Sequence, residues 1–318
     1  MNYPFLAGFI LFVAVLLALD LGLINRKSHV VSVKEALCWS AVWVALAGLF
    51  NVGIYFFWDW IAPGSTHTPG EAAMTFLAGY LLEESLSVDN VFVFALIFSY
   101  FRVPPMYQHR VLFWGVIGAI VLRGVMIALG AALVARFDWI LYFFGAILLF
   151  TGFKMAFGKS EAPHPEKNPL VRLVKKFVPV SQDYHGRHFA VRDAASGRWM
   201  LTPLFIVLVV VETSDLVFAS DSLPAIFAIT QDPTLIFTSN VFAILGLRSM
   251  YFVLADMMGR FRYLNVGLAV VLTFIGLKIM LHRLIHIPIS LSLAFIALAL
   301  GTAVAASLLT KPRPETGT

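Results

Sequence analysis

Residues 209–225 read VVVETSDLVFASDSLPA, and residues 81–94 read LLEESLSVDNVFVF. Both stretches are apolar enough to belong to membrane-spanning helices. Yet they hold Glu83, Glu84, Asp89, Glu212, Asp215 and Asp221, six of the 18 acidic residues in the chain. A carboxylate at the bilayer centre costs about 2.5–3.5 kcal/mol on insertion scales. Six unpaired ones would cost roughly 15–20 kcal/mol, more than the ~5–15 kcal/mol net stability of a typical globular protein. They must be paired, protonated or liganded, and this makes them the candidate functional centre.

The rest of the composition fits an all-α membrane protein. Of 318 residues, 60% are hydrophobic and only 13% charged, against about 25% charged in a soluble domain. One cysteine, Cys38, excludes an intrachain disulfide and a multi-thiolate metal site; its apolar surroundings predict a small buried hydrophobe. The net charge of +5 resides mostly in loops and is no nucleic-acid signature. The first apolar run, from Tyr3 to Ile24, lacks a basic leader and reads as a span, not a signal peptide. No P-loop motif occurs, so no nucleotide is hydrolysed by that route.

About nine spans can be drawn, at 3–24, 35–58, 72–101, 109–135, 138–157, 200–230, 234–256, 263–282 and 287–309. Arg26, Lys27, Lys34, Arg102, Arg110, Arg260, Arg262, Lys311 and Arg313, together with the basic connection 158–199, then fall on one side; the other side holds only Arg136 and Arg283. The positive-inside rule places the N-terminus outside and the C-terminus in the cytoplasm. Within 158–199, SEAPHPEKNP is turn-rich, and HFAVRDAASGRWMLTP predicts a small hairpin entering the sixth span. His185 and His188 in that loop read as solvated residues rather than a metal sensor.

Three anchors recur in order. Asp89-Asn-Val-Phe matches Asp215-Leu-Val-Phe, GAIVLR ending at Arg123 matches AILGLR ending at Arg248, and TGFKM with Lys154 matches IGLKIM with Lys278; the offsets are 126, 125 and 124 residues. Each unit is three spans long, so the copies run in opposite directions, as in secondary transporters that bind substrate at the midplane. The organisation is thus two N-terminal helices in 1–60, a first repeat in 72–157, the loop 158–199, a second repeat in 200–282, and a last helix in 286–310.

The motifs offer oxygen donors: Glu83, Asp89, Asn90, Glu212, Asp215, Ser220 and Asp221. No His, Cys or Met interleaves them, and such sets suit hard divalent cations. Glu212 and Asp215 share a helix face, while Asp221 lies about half a turn round from Glu212. The spacing therefore predicts a broken or unwound turn, with Pro224 freeing the carbonyl of Ser220; the alternative is a long tilted helix reaching into water. Arg123 and Arg248 lie mid-span and pair with motif carboxylates, either as fixed ion pairs or as stand-ins for the cation. Lys154 and Lys278 lie near span ends, where they snorkel. Asp20 reads as an interfacial acid.

ESLSVDNVF, VETSDLVFASDSLPAIFA, SNVFAILGLRSMYF and FIGLKI resemble the TerC family of bacterial membrane proteins over nearly the whole chain, and FDWILYFFGAILLFTGFKMA and ITQDPTLIFTSN resemble its Alx-like branch. The family is related to LysE-type exporters and takes its name from tellurium resistance. The resemblance implies Mn²⁺ export across the inner membrane, with Glu83, Asp89, Glu212, Asp215 and Asp221 at the acidic motif positions. Glu84 departs from the motif pattern and ranks below Glu83. It implies no enzymatic activity and no resident cofactor, the metal ion being substrate. A competing function is metal loading in partnership with the protein-export machinery, with the 158–199 loop as the protein-binding surface. Intramembrane aspartyl proteolysis has no support, because neither a YD nor a GxGD string occurs.

Overall fold

Prolines set the helix starts. TPGE at 68–71, with Pro at the first helical position, forms a capping box in which Thr68 and Glu71 satisfy each other's backbone N–H. Pro105, Pro169, Pro203 and Pro233 open four further helices. The computed structural model describes residues 2–19, 32–137, 139–157, 169–192, 197–255, 263–281 and 287–310. In these the elements are α1 (Tyr3–Leu19), α2 (Val33–Ile61), α3 (Pro69–Tyr100), α4 (Pro105–Arg136), α5 (Trp139–Phe157), α6 (Pro169–Phe177), β1 (Ala190–Arg192), β2 (Trp199–Leu201), α7 (Pro203–Phe227), α8 (Pro233–Ala255), α9 (Leu264–Met280) and α10 (Ile289–Leu309).

Among the described residues six helices are long and apolar enough to cross a membrane, against the nine spans expected. The described parts of α1 and α9 are short, and α3, though 32 residues long, carries the acidic motif. Large apolar side chains such as Leu49, Phe56, Phe150 and Leu298 stand on the outer surface, which a bilayer accommodates and water does not. Cys38 is exposed on α2, not buried as expected. On a membrane helix an apolar setting can mean the lipid-facing side as well as the core.

Facing residues give the helix directions. Along α4 and α7 the pairs Gly115–Val211, Gly118–Glu212 and Gly130–Phe227 rise together, so these helices are parallel. The pairs Gly79–Ser239 and Glu84–Gly246 make α3 and α8 parallel as well. Gly79 near the start of α3 also faces Ile226 at the end of α7, so α3 and α7 are antiparallel, and α4 opposes α8 in consequence. In α5 and α9 a Cβ at Gly145 would lie 3.3 Å from the Gly276 carbonyl, and one at Gly152 would lie 3.1 Å from the Ala269 carbonyl. These helices are antiparallel too. The two contacts are each other's image under the 124-residue offset. Every helix of α3–α5 thus runs opposite to its counterpart in α7–α9: the repeat is inverted. α2 packs on α3 and α8, and α10 on α3 and α9.

The hairpin forms as expected, β1 pairing antiparallel with β2 in the register Ala190–Leu201 to Arg192–Trp199. Residues 160–168 of the turn-rich SEAPHPEKNP stretch, and Asp20, lie outside the described residues. Both motif helices are continuous, and this overturns the expected break. α7 runs through Pro224 to Phe227, so the missing N–H leaves the Ser220 carbonyl without its helical donor but does not unwind the turn.

Candidate functional site

An unbroken helix fans its side chains around its axis, and the acids are distributed accordingly. Glu83 of α3 and Asp215 of α7 meet on Arg123 of α4. Arg123 Nε lies 3.1 Å from Asp215 Oδ2 and Nη2 lies 2.9 Å from Oδ1, a two-pronged pair. Nη1 is ion-paired with Glu83 and donates to Asn240 Oδ1 of α8 at 3.4 Å. Arg123 and Glu83 are each 1% exposed, and Asp215 is 3%. Desolvated charges of this kind are tolerable only as a neutralising cluster. The cluster lies near the middle of α3, α4 and α7, and it joins both repeats.

Glu212, one turn before Asp215, lies against Gly118 of α4. A Cβ at Gly118 would fall on the Glu212 carboxylate, so only glycine leaves room for it. Glu212 Oε2 is buried and has no hydrogen-bond partner among the described residues. Beside it is a cavity of about 10 Å³ lined by Glu212, Asp215 and Arg248 with Phe94, Leu112 and Leu247. That is room for about one water-sized species.

The other candidates lie apart. Asp221 faces α5, where the Thr151 hydroxyl donates to its Oδ1 at 3.1 Å. Glu84 accepts a 2.8 Å hydrogen bond from Tyr80 and projects about 100° round α3 from Glu83. Ser220 is exposed, and its hydroxyl is spent on Val217 O of its own helix at 2.6 Å. Asn90 is buried in α3. Asp89 lies in α3, but its side chain falls outside what the structure describes. Arg248 is 7% exposed and lines the Glu212 cavity. Lys154 is exposed near the end of α5, as a snorkelling lysine would be, whereas Lys278 donates to Ser292 Oγ of α10 at 2.9 Å. Among the described residues no three His, Cys, Asp or Glu side chains gather closely enough to hold a metal ion. In this conformation the guanidinium of Arg123 occupies the centre of charge.

Three participants escaped the sequence reading. Asn240 was legible as a buried amide within an apolar span. Thr151 was legible only as part of a repeat anchor. Gly118 was legible only as the first residue of the GAIVLR anchor, since its role depends on which side chain α7 brings to it.

The model of the Integral membrane protein TerC family matches residues 68–315. A protein of Escherichia coli (strain K12) named "Putative membrane-bound redox modulator Alx" is 49% identical over 290 residues, covering 91% of this chain and 89% of that one. An uncharacterised membrane protein of Myxococcus xanthus is 48% identical over 303 residues, covering 95% and 91%. A membrane protein of Rickettsia felis is 41% identical over 299 residues, covering 94% and 95%. No solved structure matches the chain.

Proposed function

This chain belongs to the TerC family of integral membrane proteins, and from that footing we propose that it is a secondary exporter of a hard divalent cation, Mn²⁺, working by exchange for protons across the bacterial inner membrane. The observation that carries the reading is Arg123 held between Glu83 of one inverted repeat and Asp215 of the other. Six motif carboxylates stand against two mid-helix arginines, Arg123 and Arg248. That excess of negative charge favours a divalent cation, and the oxygen-only donors favour a hard one. Arg123 acts as an internal cation that offsets one of the two negative charges of Glu83 and Asp215 in the closed state. An entering ion takes over the carboxylates of Glu83 and Asp215 as the guanidinium withdraws, with Asn240, Asn90, Glu212 and Asp89 as further donors. Mid-helix depth and inverted repeats are the setting in which alternating access operates. The N-terminus outside and the C-terminus in the cytoplasm follow from the basic loops. The Escherichia coli relative is named a "Putative membrane-bound redox modulator"; the single thiol, Cys38, gives this chain no intrachain dithiol for such a role.

The test is Mn²⁺ flux in proteoliposomes containing wild type or Asp215→Asn. Flux from the wild type alone supports export. Wild-type protein that binds Mn²⁺ but does not move it would leave metal loading as the better reading.

A further inference from the structure

α6 has the sequence PLVRLVKKF and two faces of different fate. Val171 is 3% exposed and Val174 half-buried, both packed in the cluster that holds Val103, Leu204 and Leu254. Those three residues sit just past the end of α3, at the start of α7 and at the end of α8. α6 therefore lies at the level where the membrane helices end. Its next face carries Leu170, Leu173 and Phe177, which are 44%, 51% and 73% exposed. Positions 170, 173 and 177 are one stripe at helical spacing. Arg172 and Lys176 occupy the remaining side, both exposed.

The following segment fixes this placement. Leu201 N donates to Pro179 O at 2.9 Å and Ser181 N to Leu201 O at 2.8 Å, so the chain leaving α6 is tied to β2. The Tyr184 hydroxyl donates to Phe101 O at 2.8 Å, tying it to the end of α3. Trp199 is exposed beside them with the Arg192 guanidinium 5.8 Å from its ring centre, the amphipathic pairing typical of a headgroup layer.

We propose that α6 is an in-plane interfacial helix whose Leu170–Leu173–Phe177 stripe enters the acyl boundary and whose Arg172 and Lys176 bind anionic lipid headgroups. The occupant is the bilayer because α6 lies where the membrane helices end and sets an exposed apolar stripe beside a basic side at that level. A helix with one apolar and one basic side lies in the plane of the interface. The assignment is independent of the transported ion.

The experiment uses the full chain in a Cys38→Ser background, spin-labelled through Leu173→Cys or Lys176→Cys. The protein is placed in nanodiscs of phosphatidylcholine with or without phosphatidylglycerol. The label at 173 should collide preferentially with oxygen, and that at 176 with a water-soluble nickel chelate. An Arg172→Gln/Lys176→Gln variant should lose preference for phosphatidylglycerol by roughly fivefold per cation removed, read by quenching with brominated lipid. A label at 173 as open to the chelate as the one at 176 would overturn the proposal and leave the stripe to a protein partner. An unchanged lipid preference in the charge variant would overturn the headgroup assignment.

Discussion

Arg123 and Asp215 form a two-pronged ion pair, 2.9 and 3.1 Å, across 92 residues of sequence. The pair joins the middle helix of the first repeat to the first helix of the second. With Glu83 on the same guanidinium, opening this site requires either that Arg123 leaves or that its carboxylates accept another positive charge.

Removing the guanidinium should therefore do two things. Arg123→Leu leaves Glu83 and Asp215 buried without their counter-ion, a loss of about 3–5 kcal/mol for a broken buried pair. The purified variant should unfold at a lower temperature than wild type. Added Mn²⁺ should restore the variant more than it raises wild type, because a ligand that binds only the folded state stabilises it. Unfolding in detergent with and without Mn²⁺ reads both effects. A destabilised variant indifferent to Mn²⁺ would make Arg123 a structural residue only.

Asp89→Asn and Asp215→Asn should each abolish Mn²⁺ efflux while the protein still inserts. Asn keeps the volume and one carbonyl oxygen but removes the charge a divalent ion needs. Cells expressing either variant should accumulate Mn²⁺ like cells lacking the protein. Wild-type efflux from both would remove these residues from the site.

The inverted repeat was legible because it rests on spacing: Asp89 and Asp215, Arg123 and Arg248, Lys154 and Lys278 recur at near-constant offset. The pairing of Arg123 with motif carboxylates was legible from the cost of burying charge in mid-span. The hairpin was legible from its turn residues. The break at the motif was not borne out, because one proline removes one hydrogen bond and neighbouring helices hold the turn in place. That difference explains why Asp221 answers to Thr151 rather than to Arg123. Cys38 misled for a related reason: hydropathy does not distinguish a core-facing from a lipid-facing position.

The seam between α5 and α9 should resist even one added methyl. A Cβ at Gly276 would lie 3.0 Å from the Gly145 carbonyl and 2.9 Å from Leu149 Cγ. Backbone carbonyls cannot move aside as a side chain can, and small residues are what let membrane helices approach this closely. Gly276→Ala should cost about 1–3 kcal/mol, the usual penalty of overpacking. Gly301→Ala, where nothing lies within 4 Å, is the matched control. Equal unfolding temperatures for the two would contradict the packing.

If the chain exports Mn²⁺ as proposed, proton coupling is the expected source of energy. Exporting a divalent ion against an inside-negative potential of about 150 mV costs roughly 7 kcal/mol. No P-loop motif supplies it, so an ion must return inward. Protons competing for the oxygens that bind Mn²⁺ would give exchange without a second site. Mn²⁺ flux in proteoliposomes should rise with an imposed inward proton gradient at clamped voltage. Flux indifferent to the gradient would identify a facilitated channel instead.

Gly118 offers the sharpest test of the geometry, because its only distinction is what it leaves empty. A Cβ there would fall on the Glu212 carboxylate, whereas a Cβ at Gly115, on the same helix and facing the same partner, would meet Val211 Cγ1 at an ordinary 3.4 Å. Both substitutions put alanine into α4, where its intrinsic helix preference is at least as good as that of glycine. Any common effect on the helix is therefore shared. Gly118→Ala alone must push Glu212 out of its recess and away from the cavity it lines with Asp215 and Arg248. Gly118→Ala should lose most Mn²⁺ flux while inserting normally, and Gly115→Ala should retain it. A Glu212→Gln variant, which keeps the shape but removes the charge, should match Gly118→Ala in flux. Full transport by Gly118→Ala would show that the recess has no part in the path of the ion.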